Sequence, residues 1–181
     1  MPRLFTAIAL PDVVRDTIAY LPAPVPGITW IPEDRLHLTL RFLGELPDDK
    51  VDLVIERLSP IRIVPFVLPV EGLGTFPPKG PPRVIWVGIG KGHPRLHQLR
   101  QRTDDTLLTA GINFDVRTFN PHVTLGRCSE PDPDLLASWL ASRSRFECPP
   151  FRVNSFNLYS SDLTSPEPIY TLIHTFNLSD P

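Results

Sequence analysis

The sequence predicts an α+β protein, a pseudo-twofold duplication of a strand-helix unit whose two copies face each other across a shared cleft. Three observations carry that prediction. The first is a pair of matching stretches, Leu36-His37-Leu38-Thr39-Leu40 and Pro121-His122-Val123-Thr124-Leu125, each with a histidine and a threonine two residues apart between apolar neighbours. In extended chain alternate side chains share a face, so each stretch presents an imidazole beside a hydroxyl over an apolar backing. The second is a repeat. The shift that carries His37 onto His122 also carries Val51, Val54 and Ile55 onto Leu136, Trp139 and Leu140, and Pro65, Phe66 and Leu73 onto Pro150, Phe151 and Leu158. Two copies are too few to stack as a solenoid, so the pattern reads as a duplication. The third is the alternation of short strand-like runs with helix-periodic runs through both copies.

In chain order, Met1–Leu10 reads as a buried first strand, and Pro11 and Asp12 start a helix that turns Val14, Ile18 and Leu21 inward. A proline-rich loop leads through Trp30-Ile31-Pro32 to the first histidine strand, expected to stop at Gly44. Pro47-Asp48-Asp49 is expected to cap a helix whose Val51, Val54, Ile55 and Leu58 form one buried stripe. Phe66 to Leu73 reads as strand, Gly74 to Pro82 as loop, and Arg83 to Ile89 as a buried strand. A longer helix runs from about Pro94 to Ala110, with Leu96, Leu99, Thr103, Leu107 and Ala110 inward and Gly111 as its stop. After the second histidine strand come a short helix from Pro131 to Ser142, a strand from Phe151 to Tyr159 and a last strand from Tyr170 to Leu178. The whole is read as a single domain, 1–181, of two related lobes, with the repeat at approximately 3–74 and 83–161 and the final strand near 170–178.

Composition narrows the function classes. An apolar fraction of 41% fills a core, and the 23 prolines and 10 glycines fall between periodic segments, where they punctuate loops. A net charge of −2 argues against a broad electrostatic grip on duplex nucleic acid and favours recognition of an end. Cys128 and Cys148 have neither Cys-x-x-Cys spacing nor a neighbouring histidine cluster, so no disulfide framework or zinc site is expected and a reducing, cytoplasmic setting is. The first residues lack a cleavage-type site, no apolar run approaches the length of a membrane span, and a monomer is expected.

Two opposed histidines without metal suit in-line displacement at phosphorus. One neutral imidazole takes a proton from attacking water while the other, protonated, donates to the leaving oxygen. His37 and His122 are the candidates for these roles, with Thr39 and Thr124 as hydroxyl donors to the non-bridging oxygens of the same phosphate. No cofactor and no metal are expected.

At this point the residues resemble a known family. The paired His-x-Thr-x stretches, the opening Arg3-Leu4-Phe5 with Ala7-Ile8, the run Leu36-His37-Leu38-Thr39-Leu40-Arg41-Phe42-Leu43-Gly44, Arg83-Val84-Ile85-Trp86 and Pro121-His122-Val123-Thr124-Leu125-Gly126-Arg127 are similar to the 2H phosphoesterases. Within them the chain looks like the RNA 2′,3′-cyclic phosphodiesterase branch, also called the 2′-5′ RNA ligase family; Leu158-Tyr159-Ser160-Ser161 and Tyr170 fit it too. The resemblance covers nearly the full length. It implies a bilobal fold of two related, mostly antiparallel sheets with outer helices and a central cleft, metal-free hydrolysis of 2′,3′-cyclic phosphates on RNA or nucleotides to 2′-phosphates and, in some members, reversible 2′-5′ joining of RNA ends. By carry-over, His122 is the base that activates water, His37 the acid that protonates the 3′ oxygen, and Arg127 a substrate contact at the cleft rim. Arg41 is read as lying off the His37 face and is given no phosphate contact.

Phe76 and Trp30 are candidates for stacking on a base, against the plainer expectation that they pack. His93 and His97 have the spacing of a metal pair but no glutamate between them and no third ligand, and His174 reads as structural. Two alternatives stand beside the phosphodiesterase reading: a module that binds nucleotides without turning them over, and an enzyme acting on a small nucleotide such as an ADP-ribose cyclic phosphate.

Overall fold

The computed structural model describes residues 3–90, 92–115, 118–162, 164 and 167–180; Met1 and Pro2, expected at the head of the first strand, lie outside them. The elements are β1 (Arg3–Ala9), α1 (Asp12–Ala19), β2 (Ile28–Trp30), one 3-10 turn (Glu33–Arg35), β3 (His37–Glu45), α2 (Asp48–Leu58), β4 (Phe66–Phe76), β5 (Val84–Ile89), α3 (Pro94–Thr109), β6 (His122–Cys128), α4 (Pro133–Ser142), β7 (Glu147–Val153), β8 (Ser155–Asp162) and β9 (Ile169–Asn177).

The strands form one antiparallel array in the order β7-β4-β5-β6-β3-β1-β8-β9, with β2 on the side of β6. Its waist is narrow, since β3 and β6 meet through the pair Leu38–Val123, while the strands on either side are joined by long ladders. One half-sheet is therefore β3-β1-β8-β9 and the other β6-β5-β4-β7. Sequence copies and half-sheets are not coextensive. β4, from the first copy, lies beside β5, and β8, from the second, lies beside β1. Each half thus holds a strand of the other, which ties the two together in one fold.

Leu38, Leu40, Val123 and Leu125 turn into a common core with Val14 and Ile18 of α1, Val54 and Leu58 of α2, Leu96, Leu99 and Leu107 of α3, and Leu136 and Trp139 of α4. The helices therefore cover one face of the waist, and the histidine face is left to the site.

Four boundaries differ from expectation for identifiable reasons. Gly44 does not end its strand; it takes φ +81° inside a bulge, where Leu4 pairs with Gly44 and Phe5 with Phe42, and the strand continues to Glu45. Gly74 is strand rather than loop because the Trp86 ring lies across it, in the space a Cβ would fill. The run Phe151–Tyr159 is two strands that part at Asn154, β7 going to the edge of one half-sheet and β8 into the other half-sheet between β1 and β9. The break shows in parity: Phe151 and Val153 are buried, then Phe156 and Leu158. Pro47-Asp48-Asp49 supplies no side-chain cap to α2, although Asp48 and Asp49 do place charge in its first turn; Asp132 of α4 is a true cap, accepting from the Asp134 and Leu135 amides.

Candidate active site

Each motif strand opens on its histidine. Because Leu38 pairs with Val123 and both are fully buried, the residues on either side of them turn to the opposite, open face. Extending that antiparallel register by one residue sets Thr39 across from His122 and His37 across from Thr124. The four side chains stand at the corners of a quadrilateral, histidines on one diagonal and threonines on the other. Such diagonal neighbours are about 7–8 Å apart, which leaves room for a phosphoryl group between the imidazoles. The expectation of two facing walls is refined: the quartet rises from a shared floor of two adjacent strands.

The backbone fixes each ring in the same way. His37 Nδ1 lies 2.7 Å from the Arg35 carbonyl oxygen, and His122 Nδ1 lies 2.7 Å from that of Asn120. A carbonyl only accepts, so each Nδ1 carries the hydrogen and each Nε2 is left to exchange protons with a substrate. His37 is packed by Phe5 at 5.1 Å and edge-on by Tyr170 at 5.3 Å; His122 is packed edge-on by Phe76 at 5.0 Å. Burial pulls the pKa of both imidazoles below 6.5. The carbonyl bonds oppose this, and for His37 the charge on His122 adds to the depression. Arg35 does a second job, since its guanidinium binds Glu167 and the Pro168 carbonyl and so holds the approach to Tyr170 beside His37.

A bulge follows both motifs at matched positions. Opposite β1 the ladder steps over Leu40, and opposite β5 it steps over Leu125. The step reverses parity, which returns Phe42 and Arg127 to the open face. Arg127 is exposed there, three residues beyond Thr124 and apart from the quartet. Arg41 does leave the His37 face, but through the bulge and not through strand count, since 37, 39 and 41 share parity. It is 5% exposed, pairs with Asp104 through Nε at 2.8 Å and Nη2 at 2.5 Å, and lies over Phe114.

Asp104 also accepts from Arg100 Nε at 2.8 Å, and Arg100 Nη1 donates to the Leu40 carbonyl in the bulge. Arg41 Nη1 reaches the Asp115 carbonyl at 2.6 Å, and Arg100 lies over Phe119. This cluster joins the β3 bulge to α3 and to the segment that ends at Asn120, whose carbonyl orients His122. Burial pushes the Asp104 carboxyl up, and the hydrogen bonds and charge of Arg41 pull against it.

A cavity of about 600 Å³ runs along the free edge of β3, lined by Thr39, Arg41, Phe42, Gly44, Arg3, Phe76, Phe114, Phe119 and His122 among others. A second, of about 340 Å³, meets it at Phe76, Asn120 and His122 and is backed by Trp86 and Gly88. Phe76 thus stands where a base could stack. Trp30 does not: its Nε1 donates to the Ala23 carbonyl and its ring packs on Trp139 at 5.1 Å, which makes it core. His93 stacks on Phe66, His97 meets Phe119, and His174 packs on Phe176. Among the described residues no three His, Cys, Asp or Glu side chains gather where they could hold a metal. Among those residues, too, no helix is long and apolar enough to cross a membrane. Sequence reasoning did not find the orienting carbonyls, although Arg35 and Asn120 each sit two residues before a motif histidine and match under the repeat.

Two imidazoles and two hydroxyls on one face, each Nδ1 held by a backbone carbonyl, have the chemistry suited to proton transfer about an anion. The chain belongs to the LigT-like phosphoesterases: the model of the family described as "LigT like Phosphoesterase" matches twice, over residues 8–86 and 88–170. An RNA 2′,3′-cyclic phosphodiesterase of Archaeoglobus fulgidus is 33% identical over 177 residues, covering 96% of this chain and 99% of its own. One of Aeropyrum pernix is 33% identical over 162 residues, 89% of this chain and 90% of its own. Among solved structures, the protein TT0787 of Thermus thermophilus superposes with a TM-score of 0.81 at 28% identity over 98% of both chains. LigT of E. coli, in complex with 3′-AMP, superposes with a TM-score of 0.80 at 28% identity over 99% of both.

Proposed function

We propose that this chain hydrolyses the 2′,3′-cyclic phosphate at the end of an RNA strand or nucleotide to a 2′-phosphate, without a metal. The observation that carries the reading is the Leu38–Val123 register, which gathers two Nδ1-anchored histidines and two threonines on one open face. The relatives named RNA 2′,3′-cyclic phosphodiesterase supply the substrate class.

In the reaction, Nε2 of His122 takes a proton from water as the water oxygen bonds to phosphorus. The bond from phosphorus to the 3′ oxygen breaks, and Nε2–H of His37 gives that oxygen its proton. Thr39 and Thr124 donate to the non-bridging oxygens as charge builds there. Arg127 meets the strand further out on the open face. A 5′-hydroxyl of a second RNA end in place of water gives a 2′-5′ link by the same steps, and the reverse of that reaction uses the two histidines with roles exchanged. Depressed histidine pKa values favour the neutral base. The protonated acid is then formed most readily once the anionic phosphate is bound.

The test is turnover of an oligonucleotide ending in a 2′,3′-cyclic phosphate, in excess EDTA, with the product isomer read by phosphorus NMR. A single 2′-phosphate product is expected. Binding without turnover, a mixture of 2′ and 3′ isomers, or activity that vanishes with chelation and returns with one metal would overturn the reading.

A further inference from the structure

We propose that Arg3, at the far end of the cavity along β3, is a subsite for the phosphate on the 5′ side of the terminal nucleoside, so that the enzyme prefers strand ends over 5′-hydroxyl mononucleosides. The proposal rests on the reading that the His–Thr quartet works on a cyclic phosphate.

The cavity is bounded at one end by Thr39 and His122 and at the other by Gly44 and Arg3, and the consecutive residues from Thr39 to Gly44 line it. Five steps of strand at about 3.3 Å cover about 16 Å, more than a cyclic phosphate and its ribose occupy. Phe42, Phe76, Phe114 and Phe119 give the space aromatic walls, which stack on bases of any sequence.

Three arginines line this cavity, and they are not equivalent. Arg41 and Arg100 direct their guanidinium groups to Asp104 and to the Asp115 and Leu40 carbonyls. The Arg3 side chain makes no hydrogen bond or ion pair among the described residues, and the residue is exposed on a strand that pairs it with Glu45 and Ser161. It shares strand parity with Phe5, which packs on His37, so it stands on the catalytic face one strand away from β3. A planar guanidinium with its donors free is suited to grip a phosphate in bidentate fashion.

The matching strand edge of the other half is covered. There the edge of β6 past Leu125 is closed by β2, with Ile28, Thr29 and Trp30 paired to Cys128, Arg127 and Gly126. The open strand edge beside the quartet therefore runs along β3, towards Arg3, while Arg127 stands on the open face of β6. A chain of net charge −2 holds RNA through a few placed cations and not through a diffuse field.

The experiment compares kcat/KM for a nucleoside 2′,3′-cyclic phosphate with a 5′-hydroxyl, the same nucleoside with a 5′-phosphate, and a dinucleotide ending in the cyclic phosphate. The two substrates with a 5′ phosphate group are expected to exceed the first by about tenfold, the worth of one charge-assisted phosphate contact. In Arg3→Gln that ratio should fall to near one, and Arg3→Lys should restore part of it. Equal kcat/KM for the three substrates in the parent enzyme, or a ratio unchanged in Arg3→Gln, would overturn the subsite alone. No turnover of any of the three would sink the cyclic-phosphate reading and the subsite with it.

Discussion

The strand that begins at His37 and the strand that begins at His122 are built alike and bordered differently. Both hold a histidine by a carbonyl two residues back, carry a threonine two residues on, and bulge at the same position, Leu40 in one and Leu125 in the other. Beyond the bulge they part. β2 seals the edge of β6, whereas the residues matching β2 under the repeat, Asn113 to Asp115, do not pair with β3. They are tethered instead by Arg41, through the Asp115 carbonyl and the Phe114 ring. In the proposed reaction the likeness supplies two proton-transfer groups about one centre, and the unlikeness leaves one side open for an asymmetric substrate. On that proposal, duplication accounts for the chemistry and divergence for the orientation.

The largest expected effect tests the likeness. His37→Ala and His122→Ala should each lower kcat by at least about 100-fold with the fold intact by circular dichroism, because each removes one of two proton transfers. The double variant should be little worse than either single one, as for groups that act together. Near-full activity in either single variant would break the pairing.

Next are the threonines. Thr39→Val and Thr124→Val should each cost roughly 10- to 100-fold in kcat/KM, the loss of one donor to a charged acceptor at about 1.5–3 kcal/mol. If the site is symmetric in function, the two losses should agree within a few-fold. A large loss at one and none at the other would show that only one hydroxyl faces the developing charge.

A third variant sharpens the unlikeness. Asp104→Asn leaves Arg41 and Arg100 buried with no carboxylate, a change expected to cost about 3 kcal/mol in denaturant unfolding. It should also loosen the segment that ends at Asn120, lowering kcat more than stability alone explains at temperatures where the variant is folded. Its counterpart across the pseudo-twofold has no such cluster among the described residues, so Trp30→Phe, which removes the bond to Ala23 and part of the packing on Trp139, should leave kcat nearly unchanged in the folded variant.

Much of this was legible because it is periodic. Strand parity at 37/39 and 122/124, the helical stripe of Val54 and Leu58, and the inward Leu96, Leu99, Thr103 and Leu107 all follow from spacing. What escaped was set by neighbours distant in sequence. Gly74 looks like turn chemistry until Trp86 is seen lying across it. The route of Asn154 from one half-sheet to the other depends on which edges are free, and only the parity change between Val153 and Phe156 hints at it. A bulge likewise adds one residue without altering composition, so Arg41 was read off the His37 face and Arg127 at the rim without the bulges that put them there. Phe76 and Trp30 were indistinguishable as aromatic residues near strand ends; the Ala23 carbonyl and Trp139 make one of them core.

The central claim, that two imidazoles act as separate proton-transfer groups on one phosphate, is tested most directly by the pH dependence of kcat/KM in EDTA for the parent enzyme and the two histidine variants. Both pKa values are depressed from 6.5, so the singly protonated pair is most abundant below that pH. The parent profile should be a bell with its optimum acid of about 6.5, whose limbs belong to the coupled pair. Residual activity of His122→Ala should lose the rising acid limb, which reports deprotonation of the base, and that of His37→Ala should lose the falling alkaline limb, which reports loss of the acid's proton. Loss of opposite limbs is the predicted result. A bell that survives in either variant would contradict the account.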